Sequence, residues 1–171
     1  RRVIQTPLGR TVHVRWQSPE GKELTTEAVE YTGADLKRFT LKQKQISEWG
    51  TAEVRGQKIH FTWHKMENGK EKVETGEEDM REDTVIVEQM IELLRARWET
   101  LVKGDDVNVN FVVLSRRESV GFKIFKDKEI DYKGTPAVVM KMKPQNIFIA
   151  LFVNPLYLTF ARDGDHRILE V

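Results

Sequence analysis

Apolar and polar positions alternate with a period of two through much of the first half of the chain, the spacing of strands with one buried face. Val12, Val14 and Trp16 alternate with His13 and Arg15, and "SPEG" at 18–21 turns the chain. Runs over 23–32 and 36–46, the second with Phe39 and Leu41 on one face, are split by "TGAD". After a glycine-containing turn between Val54 and Ile59, the residues Ile59, Phe61 and Trp63 alternate with His60, Thr62 and His64. Asn68-Gly69 tolerates the positive φ of a tight turn, so 57–66 and 71–75 are expected to pair as a hairpin.

The period then changes. Val87, Met90, Ile91, Leu94, Trp98, Leu101 and Val102 recur at helical spacing, with Glu88, Glu92, Arg95, Glu99 and Lys103 opposite them, which predicts one long amphipathic helix over 84–103. Asp83 or Thr84 suits its N-cap and Gly104 its stop. Strands resume with Val107, Val109, Phe111 and Val113, then Val120, Phe122 and Ile124. "EIDY" and "AVVMKM" are joined by Lys133-Gly134, and "LYLTFA" and "RILEV" flank Asp163-Gly164. The expectation is a mainly β (α+β) single domain over 1–171. About ten strands in hairpin order would form a curved antiparallel sheet or half-barrel with the helix packed in its concave face.

Residues 144–161, "PQNIFIALFVNPLYLTFA", carry no charge. As one helix they would rise about 27 Å, close to the roughly 30 Å of bilayer hydrocarbon. Pro155 would break such a helix where no water could repair it, so the stretch reads as a turn or short helix over 146–153 followed by a strand over 156–160. Its apolar residues either fill the interior of the curled sheet or line a hydrophobic cavity there.

Composition narrows the function classes. The chain has 171 residues, 39% of them hydrophobic and 32% charged, with a formal charge of +1, so no global field draws it to nucleic acid or anionic lipid. It has no cysteine, which excludes disulfides, thiolate metal sites and a cysteine nucleophile. It opens on Arg1-Arg2, as expected of a processed or trimmed product with any export signal upstream.

The residues that suggest chemistry have simpler explanations. His60 and His64 have the spacing of a helical zinc pair, but four residues of strand span about 13 Å, too far for one ion. "RDGDH" at 162–166 supplies carboxylates and an imidazole, yet Asp-Gly is what a tight turn demands. None of the four serines lies in Gly-x-Ser-x-Gly, and no glycine-rich phosphate loop precedes a helix. The five carboxylates of 77–83 suit a solvated loop leading into a helix. Phe39, Phe122 and Phe125 among Lys37, Arg38, Lys42, Lys123 and Lys126 could stack bases, but strand alternation with Lys outward accounts for them. Of the four tryptophans, Trp98 falls on the apolar helix face and Trp16 and Trp63 on inward strand faces.

The helix end "RWETLVKGDDV" and the closing "LYLTFARDGDHRILEV" resemble a group of bacterial envelope proteins, a domain of unknown function. In that group a helix of the type "L..L..GD" runs straight into a strand, and the chain closes on an "x.L..D..R.L...E" hairpin. The counterparts are Leu101, Gly104 and Asp105, then Leu158, Asp163, Arg167, Ile168 and Glu170. That group is similar in outline to the lipoprotein-carrier half-barrels of the envelope, in which a curved sheet cups a helix and shelters acyl chains. The resemblance implies an exported periplasmic or envelope protein with an apolar interior and no catalysis.

The sequence-based expectation is therefore a non-enzymatic binder of a lipid or other hydrophobic ligand, with no metal, cofactor or nucleic acid and no membrane-spanning helix. Its cavity wall would be Trp16, Phe61, Trp63, Trp98, Phe111, Phe148 and Phe152. The alternative is a structural or protein-interaction domain with a filled core and no ligand.

Overall fold

The computed structural model describes residues 2–6, 9–150 and 153–171, and is mainly β. The chain forms two compact units, Arg1–Glu82 with Val112–Ser119, and Asp83–Phe111 with Val120–Val171.

The first unit is a seven-stranded antiparallel meander in chain order: β1 (Arg2–Thr6), β2 (Gly9–Gln17), β3 (Glu23–Thr32), β4 (Asp35–Gln43), β5 (Glu48–Arg55), β6 (Lys58–Glu67) and β7 (Lys70–Asp79). The expected hairpin at Asn68-Gly69 joins β6 to β7, and both turn residues have positive φ, at 52° and 75°. Register aligns one row across six strands, Val12, Val29, Phe39, Ala52 and Phe61, all buried, and the half-buried Gly76. A bulge at Lys37 lets Leu36 and Phe39 both point to this face although three residues separate them. The other face is polar. A threonine row, Thr40, Thr51, Thr62 and Thr75, runs beside a row in which carboxylates alternate with basic side chains, Glu30, Arg38, Glu53, His60 and Glu77.

Two glycines admit close neighbours on the buried face. Gly50 lies opposite Trp63, whose ring occupies the space a Cβ would take, and Gly76 admits the backbone of Arg117. The 3₁₀ turn Leu114–Arg116 packs against β5 and β6. Beyond it Arg117 donates to Glu74, and Ser119 donates to Glu78 through both its amide and its hydroxyl. The polar residues of β7 on this face are thus satisfied by the 115–119 segment.

The second unit has a six-stranded mixed sheet in the order β13 (Ile168–Glu170), β12 (Leu156–Ala161), β11 (Thr135–Pro144), β10 (Glu118–Tyr132), β9 (Val107–Val113) and β8 (Thr84–Val85), the last pair parallel. Helices α1 (Val87–Ala96) and α2 (Trp98–Val102) lie on one face of it. Met90, Leu94, Trp98 and Leu101 close a core with Val109, Ile124, Val138, Met140, Met142, Leu158 and Phe160. Lys126 Nζ donates to the Val102 carbonyl at 2.8 Å, satisfying an otherwise open acceptor at the end of α2.

Two expectations are corrected. The single curved sheet or half-barrel of about ten strands is instead two sheets holding thirteen strands among the described residues, neither closed nor strongly curled. The helix predicted over 84–103 is shorter and broken. Thr84, Val85, Ile86 and Val87 form a β-branched run that favours extended backbone, so Thr84 and Val85 join the sheet and α1 starts only after Ile86. At Arg97 φ −100° and ψ 16° interrupt the helical path, yet Trp98 and Leu101 stay buried because α2 resumes on the same apolar face. The helix pair therefore packs on an open sheet face and not in a concavity.

The uncharged stretch divides as expected into α3 (Ile147–Ala150) and β12, with Asn154-Pro155 between them. Asn146 Oδ1 accepts the Phe148 amide at 2.8 Å and so starts the turn. No helix of the described residues is long and apolar enough to cross a membrane.

Candidate functional site: an exposed apolar lip

The residues expected to wall one cavity have separate fates. Phe61 and Trp63 are buried on the meander of the first unit. Trp16 shares their strand face by parity but stands past the buried stretch of β2. It is 51% exposed, with its indole N–H donating to Glu27 at 3.2 Å, so the inward placement read from alternation is corrected. Alternation reports a face but not where along the strand the cover ends.

In the second unit Trp98 belongs to the buried core cluster and Phe111, partly buried, packs against it. Trp98 stacks on His166 at 3.9 Å and meets Phe160 edge-on at 5.9 Å, while Phe111 meets Phe122 edge-on at 6.2 Å. Phe148 faces solvent, 74% exposed, and Phe152 lies outside the described residues. One pocket of about 340 Å³ is lined by Lys42, Gln43, Lys44, Ser47, Glu48 and Trp49. A second, of about 400 Å³, lies between Trp98 and Glu99 on one side and Arg162 and His166 on the other. Of the expected wall residues, Trp98 alone borders either of these two.

The two histidines spaced like a metal pair have separate partners. His64 Nδ1 lies 2.6 Å from Glu71 and its ring stacks on Trp49 at 4.9 Å, while His60 Nδ1 lies 3.1 Å from Glu77. Each imidazole has its own carboxylate on β7. Among the described residues no group of three or more His, Cys, Asp or Glu could hold a metal ion.

What the second unit does present is an apolar lip. Phe148 on α3, Val153, and Leu156 and Tyr157 at the start of β12 are all exposed, the last three at 41–43%; register pairs Leu156 with the buried Met142 and Tyr157 with Lys141, so these two point to opposite faces of the sheet. Asn146 Oδ1 accepts the Phe148 amide, and the amides of Ala150 and Val153 donate to the carbonyls of Asn146 and Ile149. Cross-strand register sets Phe125, Lys141 and Tyr157 in one row, with Lys123 and Lys143 paired beside it. Lys141 Nζ lies 5.2 Å from the centre of the Tyr157 ring, and Lys143 Nζ lies 5.4 Å from that of Phe125. The Tyr157 hydroxyl beside Lys141 holds its ammonium above the usual lysine range, with Asp127 adding a smaller push in the same direction. Lys123 is tied to Asp106 at 2.5 Å.

Sequence reasoning singled out the stretch but not its exposure, and it passed over Lys141, Lys143 and Tyr157. The available signal was "KMKP", two like charges at strand spacing directly ahead of eighteen uncharged residues. Comparison with protein-family models, curated proteins and solved structures finds no match to this chain.

Proposed function

We propose that this chain is a non-enzymatic binding protein of the bacterial envelope that takes a lipid or other hydrophobic ligand at the exposed lip. The observation that carries the reading is the exposure of four large apolar side chains, Phe148, Val153, Leu156 and Tyr157, within ten positions of an uncharged stretch, in a chain with 32% charged residues. An exposed apolar patch of this kind marks a surface that works by being covered. Covering a few hundred Å² at about 25 cal/mol per Å² supplies several kcal/mol before the cost of association, which suits weak, broad binding. The placement in the envelope rests on the resemblance of the chain's closing motifs to envelope proteins.

The test is uptake of a fluorescent fatty acid by the full chain, with native mass spectrometry of the purified protein alongside. Saturable probe binding that Phe148→Ser weakens severalfold, or copurifying acyl chains, is the expected result. A clean protein mass with no probe binding overturns the reading. It would favour the second one, a protein-interaction domain without a ligand, for which the buried cluster around Trp98, Met140 and Phe160 speaks.

A further inference from the structure

We infer that the lip is a docking element for the surface of an anionic lipid bilayer, with Lys141 and Lys143 facing the headgroups and Phe148 entering the interface. The inference rests on the proposed lipid reading and deepens it, because it fixes the form in which the lipid is met. Three observations converge on it. The apolar members Phe148, Val153 and Tyr157 lie within a stretch that carries no charge from 144 to 161, so insertion buries no ionised side chain of that stretch. The two lysines stand near the end of β11, immediately before that stretch, and each sits over an aromatic ring, Tyr157 or Phe125. Aromatic rings with a lysine at hand are the residue pair that settles at headgroup depth, the ring in the interface and the ammonium toward phosphate.

Charge decides between kinds of bilayer. The formal charge of the chain is only +1, so the whole-protein field gives no attraction, and selectivity for anionic lipid has to come from these local cations. Lys123 contributes less, because Asp106 already holds it, and Asp127 near Lys141 offsets part of that charge. A lysine at an anionic surface is worth about fivefold in binding, so two predict about twenty-five-fold.

The experiment is co-sedimentation of the full chain with vesicles of phosphatidylcholine alone or with about one third phosphatidylglycerol, at low and at high salt. The expected result is binding to the anionic vesicles that high salt weakens at least tenfold. Lys141→Gln with Lys143→Gln should weaken it by up to about twenty-five-fold, and Phe148→Ser severalfold. A control pair, Lys37→Gln with Lys42→Gln, should leave it unchanged, and the thermal midpoint of each variant reports its folding. Equal binding to both vesicle types, or an equal loss in the control pair, overturns the inference. Fatty-acid uptake without vesicle binding also overturns it while the proposed lipid reading stands, and failure of both assays removes both. A concentration-dependent dimer abolished by Phe148→Ser would seat a second copy on the lip in place of a bilayer and sink the inference as well.

Discussion

Gly50→Ala is the sharpest test of the first unit, because it adds one methyl group where the meander has no room. Gly50 on β5 pairs with Trp63 on β6, and both are buried, Trp63 at 2% exposure. A Cβ built on Gly50 would lie 2.5 Å from Cε3 of the Trp63 ring and 2.4 Å from the Thr62 carbonyl oxygen. Its φ is outside the left-handed region, so alanine meets no backbone penalty and the whole effect is steric. Relief requires the indole to shift by about 1 Å, in a site with little freedom, which places the change among overpacking substitutions costing about 1–3 kcal/mol. At this chain length that corresponds to a fall of roughly 2–12 °C in midpoint.

A double-mutant cycle with Trp63→Ala isolates the cause. Trp63→Ala alone should cost about 3–5 kcal/mol. In that background Gly50→Ala should cost distinctly less, with a coupling of at least about 0.5 kcal/mol, while the clash with the Thr62 carbonyl keeps the residual penalty above zero. Urea denaturation followed by far-UV ellipticity reads all four proteins. A Gly50→Ala protein as stable as the parent, or the same penalty in both backgrounds, would refute the account of Gly50 as the seat of the Trp63 ring.

Two further outcomes are expected. Leu94→Ala, at a position 1% exposed in the core of the second unit, should lower urea stability by about 2–5 kcal/mol, and a loss below about 1 kcal/mol would mean that α1 does not close that core. Acid should weaken the protein through carboxylates held below their usual range by hydrogen bonds from cations, Glu23 by Lys44, Glu53 by Arg55, Glu67 by Lys65, Glu74 by Lys72 and Lys65, and Glu77 by Lys58. A folded pKa below the unfolded value gives stability that is present above about pH 4.3 and lost as pH falls through the folded value. The midpoint should therefore stay level from about pH 7 to 5 and fall below about 4.3, less so in high salt because these pairs are exposed. A midpoint unchanged down to pH 3 at low salt would contradict it.

Local pattern carried the second half of the first unit well. The period-two run at Ile59, Phe61 and Trp63 and the Asn68-Gly69 turn specify β6, β7 and their pairing, since strand parity and turn conformation depend only on neighbouring residues. Pro155 likewise divided the uncharged stretch into α3 and β12. Helical spacing from Val87 to Val102 identified the apolar face that the core uses, but the β-branched run from Thr84 to Val87 lost to its sheet partner β9, a choice made by long-range pairing.

The amino-acid sequence by itself determined the mainly β class, the helical face that is buried, the hairpin turns and the absence of thiol chemistry. Tertiary structure alone decided that the strands divide between two sheets with little curl, that Trp98 stacks on His166 across 68 positions of chain, and that Phe148 stands in solvent. The reason is that parity and propensity act over a few residues. Which face is covered, how far along a strand the cover extends and which segment supplies it depend on contacts whose partners lie far apart in the chain.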